Sequence, residues 1–107
     1  EKDDSKALEW YQRAAEQEHV RAIYNLACCY LNGTGTAKKP SDAVLYFRKA
    51  AEANHADSMF QLGLCYRNGV GIKKDKKEAV RWITEASDQG SKDATRYIEK
   101  AEESYVL

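Results

Sequence analysis

The chain has 107 residues, 43% of them hydrophobic and 32% charged, with one proline and six glycines. That length holds one core, and the composition is too apolar for a disordered chain and too charged for a membrane-embedded one. Seventeen basic and seventeen acidic side chains cancel, which argues against a general nucleic-acid binder.

A first helix is predicted over residues 4–17, with Asp3 before it as cap and Ala7, Trp10 and Ala14 on one face. A second is predicted over 20–31, where Ile23, Leu26, Ala27 and Tyr30 fall at helical spacing. Asn32-Gly-Thr-Gly35 then opens a loop that ends at Pro40. Pro40 suits the first position of a third helix, 41–53, because its missing N–H costs nothing there. Asn54 suits the left-handed turn that ends it. The fourth helix, 56–67, repeats the second as Met59, Leu62, Gly63 and Tyr66, and the loop Asn68–Asp75 follows. Asp75 and Glu78 read as a capping box for a fifth helix over 76–89. Its apolar face is expected to be Ala79, Val80, Ile83 and Ala86, with Gly90 as its stop. A sixth helix covers 92–103. No stretch alternates with the period of a strand, so the chain is expected to be all-α.

The pattern has a period of 36. Leu26, Cys29, Tyr30, Asn32, Gly33 and Gly35 recur as Leu62, Cys65, Tyr66, Asn68, Gly69 and Gly71. Ala7, Trp10 and Ala14 recur as Ala43, Tyr46 and Ala50, then as Ala79, Trp82 and Ala86. Each unit is a helix pair, A then B: 20–53 and 56–89, with a lone B helix (4–17) before them and a lone A helix (92–103) after. Small residues at Ala27, Gly63, Ala50 and Ala86 let helices approach, and Tyr30, Tyr46, Tyr66 and Trp82 fill the space beside them. Such a unit cannot close a core alone. It must stack on its neighbours, giving a right-handed superhelical stack of antiparallel helix pairs, six helices in all, with a concave face lined by the A helices. Three unit lengths that open on a B helix and close on an A helix suggest a piece of a longer array. The opening Glu-Lys-Asp-Asp does not read as a leader.

At these residues the sequence resembles the Sel-1-like repeat family, a relative of the tetratricopeptide repeats. The resemblance is carried by Ala22, Tyr24, Asn25, Leu26, Ala27 and Tyr30 with Gly33 and Gly35. It returns in Phe60, Leu62, Gly63, Tyr66, Gly69, Gly71, Asp75, Ala79, Trp82, Ala86 and Gly90. Lys39 stands where the pattern has aspartate, and Glu18 and Asn54 where it has glycine. The resemblance implies a scaffold or adaptor that assembles protein complexes in signalling, quality control or host–microbe contact, without catalysis.

Charge is unevenly spread. Residues 1–36 carry four basic and six acidic side chains, residues 37–81 ten and five, and residues 82–107 three and six. Lys73, Lys74, Lys76 and Lys77 cluster around Asp75, and Lys38 and Lys39 lie one repeat earlier. If the loops stack, these form a basic ridge for an acidic partner or phosphate group, or else a solvated edge. No aromatic residue interleaves with them in sequence, which argues against single-stranded nucleic acid. Cys28, Cys29 and Cys65 form no disulfide framework. They read as small buried hydrophobes in a reducing, cytoplasmic compartment, with Cys28 a reactive thiol if it faces the groove. The Gly-x-Gly turns follow helices, so they are helix stops rather than nucleotide cradles. His19 and His55 are connector residues with no third ligand at metal spacing, and no metal or cofactor is expected.

The concave face is the expected site. Arg21, Tyr24, Cys28, Leu31 and Asn32 point toward it from the first A helix. Asp57, Phe60, Leu64, Arg67 and Asn68 do so from the second, and Asp93, Arg96, Lys100 and Glu103 from the third. An aromatic and aliphatic floor with a polar rim suits a protein or peptide partner, with no nucleic acid and no membrane insertion. Tyr24, Phe60 and Leu64 would anchor it, and Arg67 or Asn68 would clamp it. The alternative is a purely architectural segment of a longer solenoid, whose ends stick to one another. A hydrolase of the kind claimed for cysteine-rich relatives would need paired cysteines in each repeat, which this chain lacks.

Overall fold

The structure is a computed structural model and describes residues 3–106. It contains six α-helices: α1 (Asp4–Glu16), α2 (Val20–Asn32), α3 (Pro40–Glu52), α4 (Ala56–Asn68), α5 (Lys76–Asp88) and α6 (Lys92–Val106). Helices α2, α4 and α6 are the A helices, and α1, α3 and α5 the B helices. Each helix packs on the next, so the molecule is elongated, 47 × 28 × 24 Å. The architecture is an all-α solenoid, and the last helix runs three residues past the predicted Glu103.

Two kinds of junction build it. From A to B, Gly33 and Gly69 end α2 and α4 in the left-handed conformation, at φ 74° and 69°. The loop is then pinned to the helix it left: Lys39 N–H donates to the Tyr30 carbonyl (2.7 Å) and Asp75 N–H to that of Tyr66 (2.9 Å). These bonds satisfy carbonyls that a helix end would otherwise leave open. From B to A, the left-handed residue is Glu18, Asn54 or Gly90. The next N–H reaches back each time, from His19 to Ala14, His55 to Ala50 and Ser91 to Ala86. Glu18 holds this conformation without the freedom of glycine, a local cost that the reach-back bond offsets.

The two aspartate caps follow the sequence, but the capping box does not close, because the Glu78 carboxylate pairs with Arg81 and the Asp75 N–H is taken by the Tyr66 carbonyl. Asp3 Oδ1 accepts from Lys6 N–H and Asp75 Oδ1 from Glu78 N–H, both at 3.1 Å. Lys39 makes no side-chain cap, and α3 starts instead on Pro40. His55 caps α4: its Nδ1 accepts from Ser58 N–H at 3.3 Å and lies 2.7 Å from Ser58 Oγ. An acceptor Nδ1 requires the neutral ring. Burial lowers the His55 pKa, Arg21 adds to the effect and Asp57 opposes it. The unfolded chain therefore takes up this proton first. The stability supplied by neutral His55 is complete above pH ~6.5 and is lost as pH falls from there toward the folded-state value. His55→Asn keeps a capping acceptor and should flatten that slope, as read by urea midpoints between pH 5 and pH 7.5.

The core runs along the stack. Phe47, Leu26 and Leu62 are the largest fully buried apolar side chains. Gly63 sits where α4 and α5 come closest: a Cβ there would lie 2.6 Å from Ile83 Cγ1 and 3.2 Å from the Ala79 carbonyl oxygen. Tyr30 stacks on Tyr46 at 5.6 Å between ring centroids. Two residues of the predicted apolar faces are not in it, and the first, Trp10, is 68% exposed although its equivalent Trp82 is 8% exposed. Val80 is 65% exposed, whereas Val44, its equivalent one repeat earlier, is 3% exposed. The spacing that places both on an apolar face says nothing about whether another segment covers it.

Candidate functional site

The A-helix positions at Tyr24 and Phe60 are equivalent, and the structure gives them equivalent tasks. Each ring is half-buried and reaches the next repeat. Tyr24 lies 4.9 Å from the His55 ring and 6.0 Å from Phe47, and Phe60 lies 5.9 Å from Tyr97. Cys28, Leu31 and Leu64 are also half-buried against the core, while Arg21, Asn32, Asp57, Arg67, Asn68 and Arg96 are exposed. Burial, and then Cys28, push the Tyr24 phenol up to about 12, and the charges of Asp57 and Asp93 add to this. The Tyr24 hydroxyl therefore stays protonated and can donate to an acceptor throughout the physiological range. Arg96 is held 3.8 Å from Asp93, and Arg67 lies over the Tyr97 ring at 5.6 Å.

The thiols are not activated. Burial raises all three pKa values, that of Cys65 to about 11. At Cys28 the bond with Tyr24 works against this and Cys29 works with it. Cys28 is half-buried and the other two are buried. A thiol reagent at pH 7.5 should modify Cys28 first, more slowly than it modifies a free cysteine, and Cys29 and Cys65 only on unfolding. Time-resolved mass spectrometry of the alkylated protein reads this order directly.

Lys38, Lys39, Lys73, Lys74, Lys76 and Lys77 are all exposed. Lys39 lies over the Tyr30 ring at 5.8 Å, an aromatic neighbour that linear spacing conceals. Lys74 and Lys76, with Arg67 and Asn68, border a groove of 640 Å³ between α5 and α6. Arg67 and Asn68 thus sit at the C-terminal end of the stack.

Sequence reasoning missed a device that ties repeats together. Gln12 Nε2 donates to the Tyr30 hydroxyl at 3.2 Å, and Arg48 donates to the Tyr66 hydroxyl while its guanidinium lies 5.5 Å over the ring. Residues 12 and 48 are one period apart, as are the two tyrosines. The signal was present, since a long polar donor recurs at one B-helix position, but glutamine and arginine do not look alike in an alignment.

Among the described residues no cluster of three His, Cys, Asp or Glu could hold a metal ion, and no helix is long and apolar enough to cross a membrane. Stacked helix pairs, a fixed period and an aromatic-lined A-helix face define an α-solenoid of the kind used for protein interaction. The Sel1 repeat family model matches residues 1–19, 20–55 and 56–91, and the chain belongs to this family.

Three solved structures are similar. A Sel1 repeat protein from Oxalobacter formigenes is 37% identical, with TM-score 0.82, over 86% of this chain and 38% of its own. Cysteine-rich protein B of Helicobacter pylori is 28% identical, with TM-score 0.82, over 90% of this chain and 72% of its own. The protein c5321, a protective antigen of uropathogenic Escherichia coli strains, is 35% identical, with TM-score 0.87, over 92% of this chain and 21% of its own. This chain therefore spans well under two thirds of the first and third of these proteins. The curated proteins contain no match. Sel1 repeat proteins are generally protein-interaction scaffolds, and their helical fold is typically non-catalytic.

Proposed function

We propose that this chain is a scaffold or adaptor module, without enzymatic activity, that binds a peptide or partner helix on its concave A-helix face. One observation carries the reading. Tyr24 and Phe60 occupy the same position of adjacent A helices, half-buried, beside Cys28 and Leu64. A row of partly exposed, rigidly held rings beside aliphatic side chains is the usual composition of an interface centre. Arg21, Asp57 and Arg96 supply a polar rim.

The test begins with the isolated module as bait and mass spectrometry of what it retains. The identified partner is then titrated against the wild type, Tyr24→Ala and Phe60→Ala, with helicity monitored by circular dichroism. Each substitution should weaken binding about tenfold or more, the behaviour of a buried aromatic anchor. Unchanged affinity in both, with helicity retained, would reject the groove.

The architectural reading makes a separate demand. If copies joined end to end in register, α6 would take a second copy's α1 as its B helix. Glu99 would then stand where Ala27 and Gly63 allow close approach, and Glu102 where Tyr30 and Tyr66 accept a hydrogen bond. Burying those carboxylates is costly, so the chain should sediment as a monomer across a wide concentration range. A dimer or longer oligomer would favour the architectural reading.

A further inference from the structure

The loops that join A helices to B helices meet along one edge of the stack. A Cβ on Gly71 would run into the Pro40 carbonyl, so the loop after α4 rests on the residue that follows Lys39. Lys38 lies against Gly33 as Lys74 lies against Gly69. Lys38 and Lys39 therefore continue into Lys73, Lys74, Lys76 and Lys77 as one cationic edge. All six are exposed, and none belongs to an ion pair among the described residues. Of the nearby carboxylates, Asp75 caps α5 and Glu78 pairs with Arg81, which leaves Asp42. Residues 37–41 stay exposed with the second loop resting on Pro40, and residues 73–77, their equivalents one period on, are exposed in the same way. A repeat stacked on this edge leaves the lysines open.

The fold itself does not ask for these charges. Helix starts favour acids over cations, and α1 follows that rule with Asp3 and Asp4. Lys39 instead stands as the N-cap of α3 and makes no side-chain cap. Lys76 and Lys77 fill the first two positions of α5. Three lysines thus sit where the local chemistry of a helix disfavours them, and conflicts of this kind are expected at functional positions.

We infer that this lysine edge docks a flexible acidic segment of a partner protein. Carboxylates spread along a chain match cations that are spread over two loops. A compact phosphate group fits less well. Lysine is a point charge without the arginine fork that grips a phosphate. The amides of Gly33, Thr34, Lys39, Val70 and Asp75 already donate to the helix each loop has left. A bilayer fits less well too, because Val70 and Ile72 pack against the core rather than standing free to enter it. The inference rests on the reading of the chain as an interaction module but uses a different surface, so the two can fail separately.

The probe is a fluorescent peptide, Glu-Asp-Glu-Gly-Glu-Asp-Glu-Gly-Glu-Asp, followed by anisotropy, beside a matched peptide with lysine at every acidic position. The acidic peptide should bind at least about tenfold more tightly than the basic one at low salt, and high salt should narrow the gap. Lys38→Glu and Lys73→Glu, one in each loop, should each weaken it severalfold, and the double variant more. Lys49→Glu with Lys92→Glu makes the same change in net charge at the other edge of the stack and should leave binding unchanged. Lys39→Asp, which restores a capping acid, should weaken the peptide without lowering the urea midpoint. No binding by either peptide, equal binding of both, or full binding by Lys38→Glu would overturn the proposal. So would equal losses in the two double variants, because net charge alone would then carry the effect. Phosphatidylserine vesicles that retain the chain and release the peptide would overturn it in favour of a membrane. Loss of binding in Tyr24→Ala alone would place the peptide on the concave face and overturn the edge assignment while leaving the scaffold reading intact.

Discussion

Gly71→Ala should destabilise the protein by about 2–4 kcal/mol, against about 1 kcal/mol for Gly69→Ala, although the two glycines stand two residues apart in one motif. Both hold a left-handed conformation, φ 69° at Gly69 and 71° at Gly71. An L-alanine costs about 1–2 kcal/mol there. At Gly69 that is nearly the whole effect, because a Cβ would meet Lys74 Cβ at an ordinary 3.5 Å. Asparagine, which tolerates the conformation, should be close to neutral. At Gly71 a Cβ would run into the Pro40 carbonyl, and Ser41 N stands 3.0 Å away. Both are backbone atoms at the start of α3 and cannot rotate aside. Either the loop lifts off α3, uncovering Val44, or α3 shifts. Urea midpoints of Gly69→Ala, Gly69→Asn and Gly71→Ala measured together decide the matter. Equal losses at the two positions would mean that the contact with α3 carries no weight.

The two glycines also show where a sequence stops being informative. That Asn68-Gly-Val-Gly71 ends a helix is legible from the helix before it and the lack of a strand. That its second glycine is a packing site against the previous repeat is not, because the contact joins residues 31 positions apart. The same holds for Val80. Its apolar spacing is identical to that of Val44, yet one valine is 65% exposed and the other 3%, a difference that spacing alone does not carry. The six helices, their caps and the period were legible because each rests on local chemistry repeated in register. Among the candidate site residues, the A-helix face was legible as a stripe. What each ring touches was not, and Phe47, the largest fully buried side chain, was overlooked because its equivalents are Tyr11 and Ile83 rather than another phenylalanine.

Phe47→Ala should cost about 3–5 kcal/mol, the range for deleting a fully buried aromatic ring. A domain of this size has only about 5–15 kcal/mol to lose, so the thermal midpoint should fall by tens of degrees or cooperativity should fail. Leu45→Ala, two residues away on the same helix and 63% exposed, should stay within about 0.5 kcal/mol of wild type. The contrast bears on function through Tyr24, whose ring lies 6.0 Å from that of Phe47 at an interplanar angle of 57°. An aromatic pair in such a geometry contributes about 0.5–1.5 kcal/mol beyond the area it buries. A double-mutant cycle of Tyr24→Leu and Phe47→Leu should return a coupling of that size. On the proposed reading, Tyr24 holds α2 to the next repeat through Phe47 and His55 and offers its remaining surface to a partner on the concave face, so the partner would meet a ring already fixed in place. Binding to a ring the fold has immobilised avoids the entropy of ordering it, which is why loss of the coupling in Phe47→Leu should weaken a concave-face partner even though Phe47, fully buried, cannot touch it.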